Sequence, residues 1–234
     1  MIALHGDTST ERHDDRRRHT QSLPHRADRP RGATAEQFAE RLRQAIAGGD
    51  IASLILPGHG RDEASFQAFA ERIVPVAQAA GIAAIIAEDT RIAGRVGADG
   101  LHLETGPEAL EEAVEHYQPR MMVGTGGAKT RDDALDLGEA RPDYMFFGRF
   151  GYDTKPEPHQ RNLTLGRWWA EMIEIPCIVM AGSDIASVEA VAQTGAEFVA
   201  LSSAVFGEGV DPRAAVERAN AILDETAPVF DYGG

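Results

Sequence analysis

The chain has 234 residues, 43% hydrophobic and 6% aromatic, with a formal charge of −14. That length supports one substantial core, and the acidic balance argues against an extended nucleic-acid or anionic-membrane surface. No apolar run nears the roughly 20 residues of a bilayer-spanning helix, the first residues lack the basic-then-apolar order of an export signal, and Cys177 is the only cysteine. A cytoplasmic protein without an internal disulfide is expected.

Residues 1–32 hold half of the eight histidines, seven arginines and five acids, and show almost no apolar period after Met1–Leu4. Such a segment buries too little apolar area to offset its ordering entropy, so it reads as a disordered or atypical leader. His5, His13, His19 and His25 are too irregularly spaced to suggest a metal site. A single barrel domain is expected over residues 33–228, followed by a tail at 229–234.

Phe38, Leu42 and Ile46 recur every four residues, which predicts a helix over 33–48 that ends at Gly48–Gly49. A strand follows at Ile51–Leu56, closed by Pro57–Gly58. The next helix carries Phe66, Phe69 and Ile73 on one face, and Pro75 is expected to kink or divide it. A strand at Ile82–Ala87 and a helix with Ile92, Ala93 and Val96 come next. Further strands are read near 100–103, 120–124, 144–148, 177–181 and 198–201, with helices at 107–117, 132–140, 165–174, 187–195 and 211–224. In the adjacent pair Trp168–Trp169, one ring is expected in the core and the other partly exposed.

Short apolar runs alternating with helices indicate parallel strands buried on both faces, which right-handed crossovers turn into either a doubly wound sheet or a barrel, and the strand count favours a (β/α)₈ TIM barrel. Seven strands are legible from residue 51 onward. The first must lie within residues 1–32, where only Met1–Leu4 is apolar enough. A connection of almost thirty residues would follow it, which is unusual, so the first strand is expected to be atypical or missing.

In such a barrel the loops after the strands carry the chemistry. Candidates are Asp89 after the third strand, His102 and Glu104 on the fourth, Thr125–Gly127 after the fifth, Arg149 and Asp153–Lys155 after the sixth. Gly182–Asp184 follow the seventh strand and Ser202–Ser203 the eighth. Gly182 allows close backbone approach to an anion, and Ser202 and Ser203 offer hydroxyls and amides at matching height, which together suggest a phosphate site. The plainer reading makes Gly182 a turn residue and Ser183–Asp184 a helix cap. Asp89 either holds magnesium against a diphosphate or caps the following helix. His102 is either a satisfied interior residue or a ligand group, and Lys155 either pairs with phosphate oxygen or is simply solvated.

These residues, in this order, resemble the thiamine phosphate synthase family, which includes the thiazole tautomerases. The resemblance covers about residues 35–225. It rests on Ala98-Asp99-Gly100-Leu101-His102-Leu103, Pro142-Asp143-Tyr144 leading to Gly148, Thr154-Lys155-Pro156, Gly195-Ala196-Glu197-Phe198-Val199-Ala200 and Ser203-Ala204. It implies a transferase that joins hydroxymethylpyrimidine diphosphate to thiazole phosphate with Mg²⁺ and releases diphosphate, taking phosphorylated small molecules as partners. A homo-oligomer stays open. Asp89 then matches a metal-binding aspartate, with Glu104 standing in for the second. Lys155 matches the lysine on the diphosphate, and Thr154, Lys155, Gly182, Ser183, Ser202 and Ser203 line the phosphate end.

The chain also departs from that family. Its Gln-x-Arg-x-Lys after strand two reads Leu56-Pro57-Gly58-His59-Gly60 here, leaving His59 and Arg61 as partial replacements for the lost cations. Glu88 replaces an asparagine, and Gly126 a serine. Two other readings therefore stand beside the synthase. One is a non-catalytic phosphate-binding or regulatory barrel. The other is a tautomerase-like isomerase, although Thr125–Lys129 lacks the histidine of that branch.

Overall fold

A computed structural model describes residues 1–5 and 34–226. In chain order the elements are β1 (Ile2–His5), α1 (Ala35–Ile46), β2 (Ser53–Leu56), α2 (Glu63–Gln78), β3 (Ala83–Ala87), α3 (Thr90–Val96), β4 (Gly100–Leu103) and α4 (Pro107–Tyr117). There follow β5 (Met122–Gly126), α5 (Arg131–Gly138), β6 (Tyr144–Phe147), α6 (Gln160–Met172), β7 (Cys177–Met180), α7 (Ser187–Ala192), β8 (Phe198–Leu201), α8 (Ser203–Phe206) and α9 (Pro212–Thr226). The strands close into a barrel in sequence order. Most of the leader expected over 1–32, and all of the tail at 229–234, lie outside the described residues.

The first strand is atypical in its direction. Ile2–His5 pairs antiparallel with both β2 and β8, whereas every other neighbouring pair is parallel. Met1 therefore lies at the end of the barrel where the other strands finish, and His5 where they start. Either direction satisfies the ladder, which a closed barrel requires of every strand. Ile55 donates to the Met1 carbonyl at 3.0 Å and Ala52 to that of Ala3 at 2.9 Å.

Alternation along the strands builds two apolar layers. Ile2, Leu4, Leu54, Leu56, Ile86, Leu101, Val123, Phe147, Val179 and Val199 face the helices. Ala3, Ile55, Ile85, Tyr144, Phe146, Ile178, Met180 and Ala200 fill the lumen. Gly124 makes room in the lumen, because a Cβ there would fall inside the Tyr144 ring.

Local chemistry explains the helix ends. Thr34 and Gln37 form a capping box on α1, and Thr130 and Asp133 form one on α5. Pro75 leaves α2 undivided. The proline is exposed, so the carbonyl it leaves without an N–H donor lies on a solvent-facing side of the helix. Trp169 is fully buried and donates to the Ile175 carbonyl at 2.7 Å, while Trp168 is partly buried under Arg131. None of the described helices is long and apolar enough to cross a membrane.

The starts of β3, β5 and β7 share one device. Asp99 accepts from the Ala84 amide at 2.8 Å, Asp143 from Val123 at 2.6 Å and Glu197 from Cys177 at 2.8 Å. In each case an acid just before one strand ties down the beginning of the preceding strand. The most distinctive family-like stretches thus contain acids that staple the base of the barrel, away from the mouth.

Candidate active site at the barrel mouth

At the mouth, β3 and β4 deliver two carboxylates side by side. Glu88 adopts a left-handed backbone (φ 68°), which is costly for a residue with a Cβ and marks a constrained turn. Its amide donates to the His102 carbonyl at 2.9 Å, and its Oε1 accepts from the Glu104 amide at 2.6 Å. Burial pushes the Glu88 carboxyl up, against the pull of the Glu104 amide. Burial and then the charge of Glu88 raise Glu104, while Arg149 pulls it down. Asp89 uses one oxygen to cap α3, accepting from Arg91 at 3.1 Å and Ile92 at 2.9 Å.

His102 on β4 lies wholly inside the lumen. Its Nδ1 is 3.0 Å from the Tyr144 hydroxyl, and its Nε2 is buried without a hydrogen-bond partner. His102 is level with Gly124 in the sheet register, yet Nε2 approaches Gly126, two residues nearer the strand ends. The orphan nitrogen therefore points toward the mouth. Phe146 and Phe150 pack edge-on against the imidazole at 5.5 and 5.2 Å between centroids.

Burial lowers the His102 pKa to about 3, so the ring is neutral at ordinary pH. The unfolded chain takes up a proton near the ordinary value of about 6.5, and the native fold resists it. The stability contributed by the neutral ring is thus complete above pH 6.5 and is lost as pH falls toward 3. In His102→Gln, stability measured by urea unfolding between pH 7 and pH 4 is expected to fall less steeply than in the wild type. Equal slopes would show that His102 protonates freely in the native fold.

The segment between β6 and α6 crosses the mouth as a strap. Arg149 lies over the Tyr152 ring at 3.9 Å, and Asp153 is only 5% exposed. The Asp153 carboxylate accepts from the Ser203 amide at 2.5 Å and lies within electrostatic reach of the Met1 amino group. Further along, the Lys155 carbonyl accepts from Ser183 at 2.7 Å and that of Pro156 from Asp184 at 3.3 Å. The Gly182 amide donates to the Ser187 hydroxyl at 2.9 Å. Thr154 and Lys155 have exposed side chains. The structure thus gathers Asp153, Lys155, Gly182, Ser183 and Ser203 at one side of the mouth.

Arg61 and His59 are placed differently. The Arg61 guanidinium stacks on Phe69 of α2 at 4.0 Å, and burial lowers its pKa. His59 is exposed in a turn with φ 48°. Sequence reasoning missed the Glu88–Glu104 contact, the His102–Tyr144 pair and the Asp153–Ser203 bond. The segments involved are 16, 42 and 50 residues apart, and no spacing rule links them.

The fold is a barrel in which polar side chains gather at the C-terminal ends of the strands, the end where barrels of this kind place their sites. The family model for thiamine monophosphate synthase matches residues 28–205. The chain is 28% identical to the thiamine-phosphate synthase of Hyphomonas neptunium, over 85% of this chain and 92% of that protein. It is 30% identical to that of Rhodospirillum centenum, covering 80% and 91% respectively. Among solved structures, a thiamine phosphate pyrophosphorylase from Pyrococcus furiosus superposes with a TM-score of 0.68 at 22% identity, covering 81% of this chain and 91% of that one. The chain belongs to the thiamine monophosphate synthase family.

Proposed function

We propose that this barrel is a cytoplasmic transferase that joins hydroxymethylpyrimidine diphosphate to thiazole phosphate and releases diphosphate. The observation that carries this reading is the family match over residues 28–205, which spans the barrel from α1 to β8. In this reading the exposed Lys155 ammonium binds the diphosphate, and the Gly182–Ser183 and Ser202–Ser203 turns receive the thiazole phosphate. Glu104 and Asp89 are the carboxylates that would hold Mg²⁺. Their fit is that of a hard cation bound through one or two carboxylates and the substrate's own phosphates. Among the described residues there is no cluster of three or more His, Cys, Asp or Glu that could form an all-protein cage. When bound, the metal offsets the charge that develops on the departing diphosphate. Lys155 supplies the same service from the protein side, and the buried floor formed by Phe146 and His102 limits water at the reacting carbon.

The test is release of diphosphate and formation of thiamine phosphate from both substrates with Mg²⁺. Asp89→Ala and Lys155→Ala are each expected to lower turnover by about 100-fold or more, the usual loss for one preorganised group stabilising developing charge. Wild-type turnover in both variants would remove these role assignments.

A second reading, a non-catalytic phosphate-binding barrel, is favoured by the strand-two end. Arg61 is committed to Phe69, and Leu56–Gly60 contains no lysine or arginine. Ligand-induced stabilisation without turnover would select it.

A further inference from the structure

The strap after β6 touches β4, β6 and the loops after β7 and β8. Two independent features of the mouth look like contacts awaiting a ligand. One is the Nε2 of His102, fully buried, without a partner and directed at the strand ends. A buried polar atom left unsatisfied is uncommon and costly. The other is the Ser203 amide, which already holds an anion, the buried carboxylate of Asp153. Both are closed by the same eight residues, 149–156. Phe150, stacked on Phe146 at 5.2 Å, covers the imidazole from the mouth side, while Asp153 reaches Ser203. The Lys155 and Pro156 carbonyls engage the Ser183 and Asp184 amides of the neighbouring loop.

We propose that residues 149–156 are a displaceable plug that mimics its own ligand, with Phe150 in place of a planar heteroaromatic ring and Asp153 in place of that ligand's phosphate. Asp153 is then a specificity-determining residue. An incoming phosphate has to displace a carboxylate already bonded to the Ser203 amide, and the two anions cannot share it. A ligand without an anionic tail gains nothing from that exchange and leaves the plug closed. Once the plug is out, the heteroaromatic ring replaces Phe150 and meets the His102 nitrogen. This inference rests on the phosphate-ligand reading of the mouth but not on turnover.

The test therefore uses inorganic phosphate and thiazole phosphate as probes, without Mg²⁺ or the second substrate. Asp153→Asn keeps the shape of the side chain and removes its charge. Calorimetric affinity for both probes is expected to tighten about tenfold or more, because a charge-assisted competitor has become a neutral one. In the wild-type protein, hydrogen exchange across 149–156 is expected to accelerate when thiazole phosphate is added. Unchanged or weaker binding by Asp153→Asn, or slower exchange in the strap of the wild type, would overturn the plug. The exchange measurement decides the matter if the variant fails to fold. A protein that binds thiazole phosphate in this way yet makes no thiamine phosphate would refute the synthase reading and keep the plug. A protein that turns over with a strap unmoved by ligand would do the reverse.

Discussion

Gly182→Ala is expected to destabilise the fold by about 3 kcal/mol. A Cβ at this position would fall on the Pro156 carbonyl oxygen, and would lie 2.5 Å from the Pro156 carbonyl carbon and 2.7 Å from that of Glu157. These are backbone atoms, so no rotamer change relieves the overlap. The strap has to shift instead. Shifting it breaks the bonds from Ser183 and Asp184 to the Lys155 and Pro156 carbonyls, and overpacking of this kind ordinarily costs about 1–3 kcal/mol. Gly94→Ala is the matched control. It lies inside α3 with nothing near its prospective Cβ, and alanine there is expected to add roughly 0.5–1 kcal/mol through helix propensity. Urea unfolding of both variants checks the pair. Wild-type stability in Gly182→Ala would mean that residues 155–157 are not held against the β7 loop.

Arg41→Met is expected to cost about 3 kcal/mol and to loosen the phosphate side of the mouth. Arg41 projects from α1 and donates to four carbonyls: Phe206 at 2.8 Å, Gly207 at 3.0 Å, Val210 at 3.1 Å and Val205 at 3.2 Å. These groups belong to the end of α8 and the turn beyond it, where carbonyls lack helical partners. Hydrogen bonds from a charged donor contribute about 1.5–3 kcal/mol, and the fork of a guanidinium serves several acceptors at once. Phe38 of α1 packs on Phe206 beside this contact at 5.0 Å between centroids. Losing the clamp frees α8, whose first amide is that of Ser203. Arg41→Lys is expected to recover less than half of the loss, since an ammonium cannot reach four divergent acceptors. Thermal unfolding of the two variants, with and without thiazole phosphate, separates the stability effect from the binding effect. A lysine variant as stable as the wild type would show that charge alone, and not the fork, holds α8.

Neither arginine nor glycine stands out in the sequence for these reasons. Arg41 is one of several charged residues on an amphipathic helix, and Gly182 reads either as room for an anion or as a turn, not as a seat for the strap. Their importance comes from partners 164 to 169 residues away in one case and from a neighbouring loop in the other. The same applies to Asp153, which sequence reading placed only among mouth candidates. Its buried bond to Ser203 depends on how the strap crosses the barrel.

Much of the architecture was legible because it is local. Short apolar runs and helices with four-residue spacing are written in contiguous residues, and neighbouring strands follow sequence order. That the first strand would be atypical or missing was foreseeable from the almost thirty residues that separate Met1–Leu4, its only apolar candidate, from the first helix. Its direction was not, because both orientations give the same inward and outward faces and satisfy the same ladder. The short α8 was also missed, for four residues carry no period. The sequence by itself thus determined the barrel and the order of its strands. Only the tertiary structure decided which groups meet: Glu88 with Glu104, His102 with Tyr144, Asp153 with Ser203, and Arg61 with Phe69. Local patterns encode burial and turning, whereas a mouth assembled from eight separate loops is specified only once the barrel has closed.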